Sequence, residues 1–167
     1  VASSGDIDGD GIGDLLVGAY LDDTGGPNRG AVYVLFLNST GLVTSHVKWA
    51  HGLGGLSALL DDHDFFGSSV SGLGDLDGDG YVDAAVGARQ DDDGGLNSDR
   101  GAVYVLFLNA SGLIVSEQKI SSIEGGLSSG LLSDDDQFGS SLAVVPDLDG
   151  NGIVELAVGA WFDDDGG

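Results

Sequence analysis

The sequence predicts an all-β chain made of β-propeller-type four-stranded blades. Three observations predict it. An acidic nine-residue run recurs at a spacing of about 70 residues, a short run of small apolar residues ending in Gly-Ala follows each copy, and one ten-residue apolar segment appears twice unchanged. Short apolar runs bounded by Gly and Asp read as buried strands, and a long fixed period marks a repeat architecture.

The nine-residue run reads DIDGDGIGD at 6–14, DLDGDGYVD at 75–83 and DLDGNGIVE at 147–155. Acids at alternate positions, followed by a glycine that lets the chain turn tightly, are what a Ca²⁺ ion asks of a short loop. A hard cation of that size takes six to eight oxygens. The ligands expected are Asp6, Asp8, Asp10, the Ile12 carbonyl and Asp14 in the first loop, and Asp75, Asp77, Asp79, the Tyr81 carbonyl and Asp83 in the second. The third loop offers Asp147, Asp149, Asn151, the Ile153 carbonyl and Glu155. Its Asn is a neutral donor and its Glu is one torsion longer, so this copy is the least regular. An EF-hand would need a bidentate Glu at position 12 and flanking helices. Position 12 is Val17 or Val86, and the segments LLVGA, AAVGA and LAVGA that follow read as strands.

Within one unit the elements follow in order. Phe66-Gly67-Ser68-Ser69-Val70 opens a first strand, the metal loop follows, and residues 84–88 make a second strand of small residues. An acidic glycine loop leads to GAVYVLFLN, whose two faces are both apolar: Ala102, Tyr104, Leu106 and Leu108 on one, Val103, Val105 and Phe107 on the other. A strand of that kind must be covered on both sides. A more polar fourth strand near 114–123 suits an outer edge. Four strands per unit with burial on both faces describe a propeller blade, whereas a Ca²⁺-binding β-helix would show a period of nine.

The segments GDLDGDGYVDAAVGA after Phe66-Gly67 and PDLDGNGIVELAVGA after Phe138-Gly139 resemble FG-GAP repeats, the units of integrin α-subunit propellers and of many secreted microbial proteins. The resemblance covers essentially the whole chain. It implies Ca²⁺ in the loops between strands 1 and 2, and a ligand-facing end opposite to them. Two positions depart from the pattern. The GAP proline is replaced by Tyr20, Arg89 or Trp161, and the first unit lacks its Phe-Gly. The units divide as 1–65, 66–137 and 138–167, about 2.3 repeats, whereas closed propellers have four to eight blades. The chain therefore reads as a window of a longer array, oligomeric or part of a longer chain.

Composition narrows the function. Five Lys and Arg stand against 28 Asp and Glu, a formal charge of −23, which repels nucleic acid and anionic membranes and attracts divalent cations or basic partners. Eleven of those acids lie in the three loops. There is no Cys, no run long and apolar enough for membrane insertion, and no nucleophile elbow among the serines. His46, His51 and His63 form no recurrent set, so the chain reads as non-enzymatic. Arg29 and Arg100, each just after an acidic loop, are expected to pair with that loop's carboxylates. A second layer of metal or ligand binding is expected at the opposite end, from Asp22, Asp23, Asp91, Asp92, Asp93, Asp134, Asp135, Asp136, Asp163, Asp164 and Asp165. Asn38 and Asn109 head glycosylation sequons at equivalent turns.

The function expected is a calcium-binding extracellular or cell-surface module for adhesion or recognition, its partner a protein or glycan ligand or further copies of the same repeat. Two alternatives are a subunit of an extracellular fibre or sheath of stacked repeats, and an accessory propeller domain of a secreted enzyme.

Overall fold

The structure, a computed structural model, describes residues 1–93 and 98–164. These residues form ten strands and, among themselves, no helix. The first sheet is β1 (Ala2–Gly5), β2 (Asp14–Ala19), β3 (Ala31–Leu37) and β4 (Val43–Ala50), in that spatial order and antiparallel throughout. The second repeats the arrangement with β5 (Phe66–Gly74), β6 (Asp83–Ala88), β7 (Ala102–Leu108) and β8 (Ile114–Ile120). The third is the antiparallel pair β9 (Phe138–Val145) and β10 (Glu155–Ala160). Consecutive strands pair through short loops, as up-and-down blades require.

The sheets stack face to face, which is why β7 can be apolar on both sides. Its Ala102, Tyr104, Leu106 and Leu108 join β2, β3 and Trp49 in one core, while Val103 and Val105 pack with Leu142, Leu156 and Val158 of the third sheet in another. All six residues of β6 are buried, whereas β8, at the sheet's edge, is exposed or half-buried after Ile114.

Small residues let the sheets approach. Gly18 and Gly87 sit at the middle of the contact, where an added Cβ would run into the carbonyl oxygens of Gly67 and Gly139. The Phe-Gly pair does the joining: Phe66 is buried edge-on against the Tyr104 ring at 5.6 Å, and its N–H donates to the Arg29 carbonyl at 3.0 Å. Phe138 makes the same bond to Arg100, at 2.8 Å. Where a GAP proline would stand, Arg89 instead lies over the Tyr20 and Phe65 rings, 5.7 and 5.0 Å from their centres, linking one unit's loop to the next.

One expectation is corrected here. Among the described residues, the ion pairs of Arg29 and Arg100 lie beyond the loop that precedes each of them. Arg29 meets Asp62 and Arg100 meets Asp134, each at 2.8 Å, in the segment leading to the following sheet. The isolated parallel bridges Gly30↔Phe66 and Gly101↔Phe138 set the two chain segments side by side and carry each guanidinium to the later acidic run.

Candidate metal centres

Each acidic run folds as a tight loop between the first two strands of a sheet, held by its own carboxylates. In the second loop Asp75 Oδ1 accepts the Gly78 N–H at 2.8 Å and Oδ2 that of Gly80 at 3.0 Å. Asp77 accepts from Asp79, and Asp79 from Tyr81. The first loop repeats this with Asp6 taking Gly9 and Gly11, and the third with Asp147 taking Gly150 and Gly152. Two glycines per loop are needed, because both have positive φ, for instance +81° at Gly78 and +94° at Gly80. Sequence reasoning weighted only the second of them.

The side chains that converge are Asp6, Asp8 and Asp10 in the first loop, Asp75, Asp77 and Asp83 in the second, and Asp147, Asp149 and Glu155 in the third. In each trio one oxygen per residue lies within 4.8 Å of the others. Two oxygens on opposite sides of a Ca²⁺ ion stand about 4.6–5.2 Å apart, so spacing and all-oxygen chemistry both suit that ion. Asp14 is not part of the first trio, nor Asp79 of the second. Asn151 Oδ1 accepts the Ile153 N–H at 2.7 Å.

The ninth position is built differently from the others. Asp14 and Asp83 are each 1% exposed, while their loop partners are largely in solvent. Asp14 Oδ2 accepts the Ile7 N–H at 3.0 Å and Oδ1 the Leu37 N–H at 3.1 Å. Asp83 does the same with Leu76 at 2.8 Å and Leu108 at 3.1 Å. Burial pushes both carboxyls above the usual range, against the pull of those N–H donors and helped by the neighbouring loop charges. Glu155 accepts the Leu148 N–H at 2.8 Å. Its loop's first acid, Asp147, is held below the ordinary value, chiefly by the Gly152 N–H.

At the opposite end the acidic runs are engaged by cations and backbone. Asp22 pairs with Lys48 at 2.7 Å. Asp91 and Asp93 share Lys119, at 2.9 Å each, and the buried Tyr104 hydroxyl donates to Asp91 at 3.0 Å. Asp23 accepts from Asn28, and Asp92 from Ser98 and Asp99. Asp136 is buried with Oδ2 on the Ser133 N–H, and Asp134, Asp135 and Asp164 line one cleft with Gln137 and Phe162. Asp163 also has a partner. Asp165 lies outside the described residues. Among the described residues these runs form no trio like those of the metal loops. The two lysines could have been found from sequence, since Lys48 and Lys119 stand at equivalent places in otherwise polar fourth strands.

Both sequons lie in turns closed by their asparagines: Asn38 accepts from the Thr40 N–H and hydroxyl, Asn109 from the Ser111 N–H. Ala110 and Ser111 share a cavity with Asp8, so the second turn lies at the metal-loop end.

Comparison with known proteins agrees with this architecture. The FG-GAP repeat model matches residues 1–35 and 66–106. The chain is 34% identical to integrin alpha-4 of Xenopus laevis over 95% of its own length and 14% of that relative's. It is 36% identical to human integrin alpha-11, over 95% of the chain and 12% of the relative. For human integrin alpha-IIb the figures are 37%, 93% and 14%. The chain thus spans about one-seventh of these relatives or less. With its stacked four-stranded sheets and recurrent acidic loops, it is similar to FG-GAP repeats over residues 1–35 and 66–106 and to part of the integrin α subunits.

Proposed function

We propose that the chain is a Ca²⁺-stabilised, non-catalytic recognition module that works outside the cell, with units at 1–65, 66–137 and 138–167. The observation that carries this reading is the convergence of three oxygens in each of three equivalent loops. Asp6, Asp8 and Asp10, Asp75, Asp77 and Asp83, and Asp147, Asp149 and Glu155 would hold the ions, with Asp14, Asp79 and Asn151 completing their loops. A bound Ca²⁺ supplies positive charge that offsets mutual carboxylate repulsion and fixes the turn between the first two strands. The residues themselves orient one another: each loop's first acid holds two glycine N–H groups, which shape the turn around the converging oxygens.

The integrin relatives support adhesion or ligand recognition as the module's task, with a protein or glycan bound at the end away from the metal loops. Millimolar Ca²⁺ outside cells suits loops whose expected dissociation constants are about 10⁻⁴–10⁻³ M. Calorimetric titration of the chelator-treated chain tests the reading: three ions per chain in that range are expected, and absence of binding at 10 mM Ca²⁺ (about ten times the weakest expected constant) sinks it.

Further copies of the repeat are a second class of partner, favoured by one observation. Leu15, Val17, Tyr33, Leu35 and Leu37 of the first sheet are half-buried, although in the second sheet the equivalent Ala84, Val86, Tyr104, Leu106 and Leu108 are fully covered by the neighbouring sheet.

A further inference from the structure

The β3–β4 and β7–β8 hairpins each have an amide that ends on a metal-loop carboxylate. The Leu37 N–H, at the last residue of β3, donates to Asp14, and the Leu108 N–H, at the last residue of β7, donates to Asp83. The same carboxylates take the N–H of Ile7 and Leu76 from inside their own loops. Each therefore has one oxygen on the loop and the other on the third strand, which pairs directly with the strand that the carboxylate opens. The arrangement occurs twice, and it is local to a single sheet in both cases.

We infer that the ninth-position carboxylate is a strap through which cation occupancy of the loop is felt by the adjoining hairpin, with the Leu37 and Leu108 N–H groups as its positioning donors. This rests on the Ca²⁺ reading above. A carboxylate that is 1% exposed has little rotamer freedom once both oxygens are engaged, so the two donors fix which lone pairs remain for an ion. The converse holds by reciprocity: an ion that restrains the carboxylate restrains the third strand's end, since coupling between two events acts equally in both directions. Local opening of the hairpin end breaks the strap, lets the carboxylate turn away and costs the site a ligand. An ion at about ten times its dissociation constant would then reduce that opening by about tenfold.

Amide hydrogen exchange on the whole chain, with calorimetry on the same samples, tests this. In the native sequence, Ca²⁺ should slow exchange at Leu37 and Leu108 by about tenfold. In Asp83→Asn, Ca²⁺ should still slow Leu37, which reports on a folded protein with an intact first loop, while Leu108 should no longer respond. Heat of Ca²⁺ binding with unchanged exchange at both amides overturns the strap and leaves the binding reading standing. Equal slowing of Leu108 in Asp83→Asn overturns it as well, because protection would then come from stabilisation of the whole chain. No heat of binding removes the Ca²⁺ reading and the strap together.

Discussion

The Asp83 carboxylate and the Leu108 N–H, 25 positions apart in the chain, meet at 3.1 Å in the interior of the second sheet. Its other oxygen accepts the Leu76 N–H, so Asp83 has a structural role within the sheet. Removing it leaves two N–H groups, of Leu76 and Leu108, without their acceptor. Asp83→Ala should therefore destabilise the metal-free chain by about 1–3 kcal/mol for each buried donor left unpaired. Asp79 is exposed and accepts only the Tyr81 N–H among the described residues, so Asp79→Ala should cost about 0.5 kcal/mol or less. Urea denaturation in chelator compares the two directly. Equal costs would mean that the ninth position is merely another ligand.

A pH dependence follows from Asp64, in the segment between the first two sheets. It is 3% exposed, its Oδ2 accepts the Asp61 N–H at 2.7 Å, and burial followed by the nearby Asp91 charge pushes its carboxyl up to about 7. The folded form holds this proton more tightly than the unfolded chain does. Its contribution is therefore fully present below about pH 4 and is lost as pH rises through about 7, after which it is constant. Asp64→Asn can keep the bond to Asp61 without the charge. The variant should melt higher than the native chain at pH 8 and show a flatter profile between pH 5 and 8, by a few kcal/mol at most. A native-like slope in the variant would assign that dependence to other groups.

The order of strands was legible in the sequence because three signals agreed at each step: apolar runs of strand length, acidic glycine turns and a long repeat. The two-faced burial of GAVYVLFLN was readable for the same reason, since Tyr104 and Val105 are both apolar-facing neighbours on one strand. The loop ligands could be read as a set, but the division of labour within it could not. Asp14 and Asp10 are the same residue type. Only the fold buries one against Leu37 and leaves the other in solvent. The partners of Arg29 and Arg100 are not legible in the sequence, because a parallel bridge to the next sheet, and not proximity along the chain, decides where those side chains go. Glycines presented the same difficulty, since sequence does not say which of many lies against another backbone.

Gly87 is one that does. An added Cβ there would meet the Gly139 carbonyl oxygen, a backbone atom that cannot move without displacing the third sheet. Gly87→Ala should destabilise the chain by about 1–3 kcal/mol, as overpacking does. Gly13 has no atom within 4 Å of the same position and no positive φ, so Gly13→Ala should be neutral or slightly stabilising. Thermal melts of the two variants side by side measure the closeness of the sheets. A harmless Gly87→Ala would be inconsistent with the backbone contact.

If the three acidic loops are calcium sites that stabilise the fold, a pair of thermal melts will show it. With Ca²⁺ at about ten times its dissociation constant, each site adds about 1.4 kcal/mol, or about 4 kcal/mol for three. For a chain of this length that corresponds to a rise of about 10 °C over the melt in chelator. A rise of that size, reduced by about one-third in Asp75→Ala, is the predicted result. Melting temperatures that agree within about 1 °C with and without Ca²⁺ would contradict it.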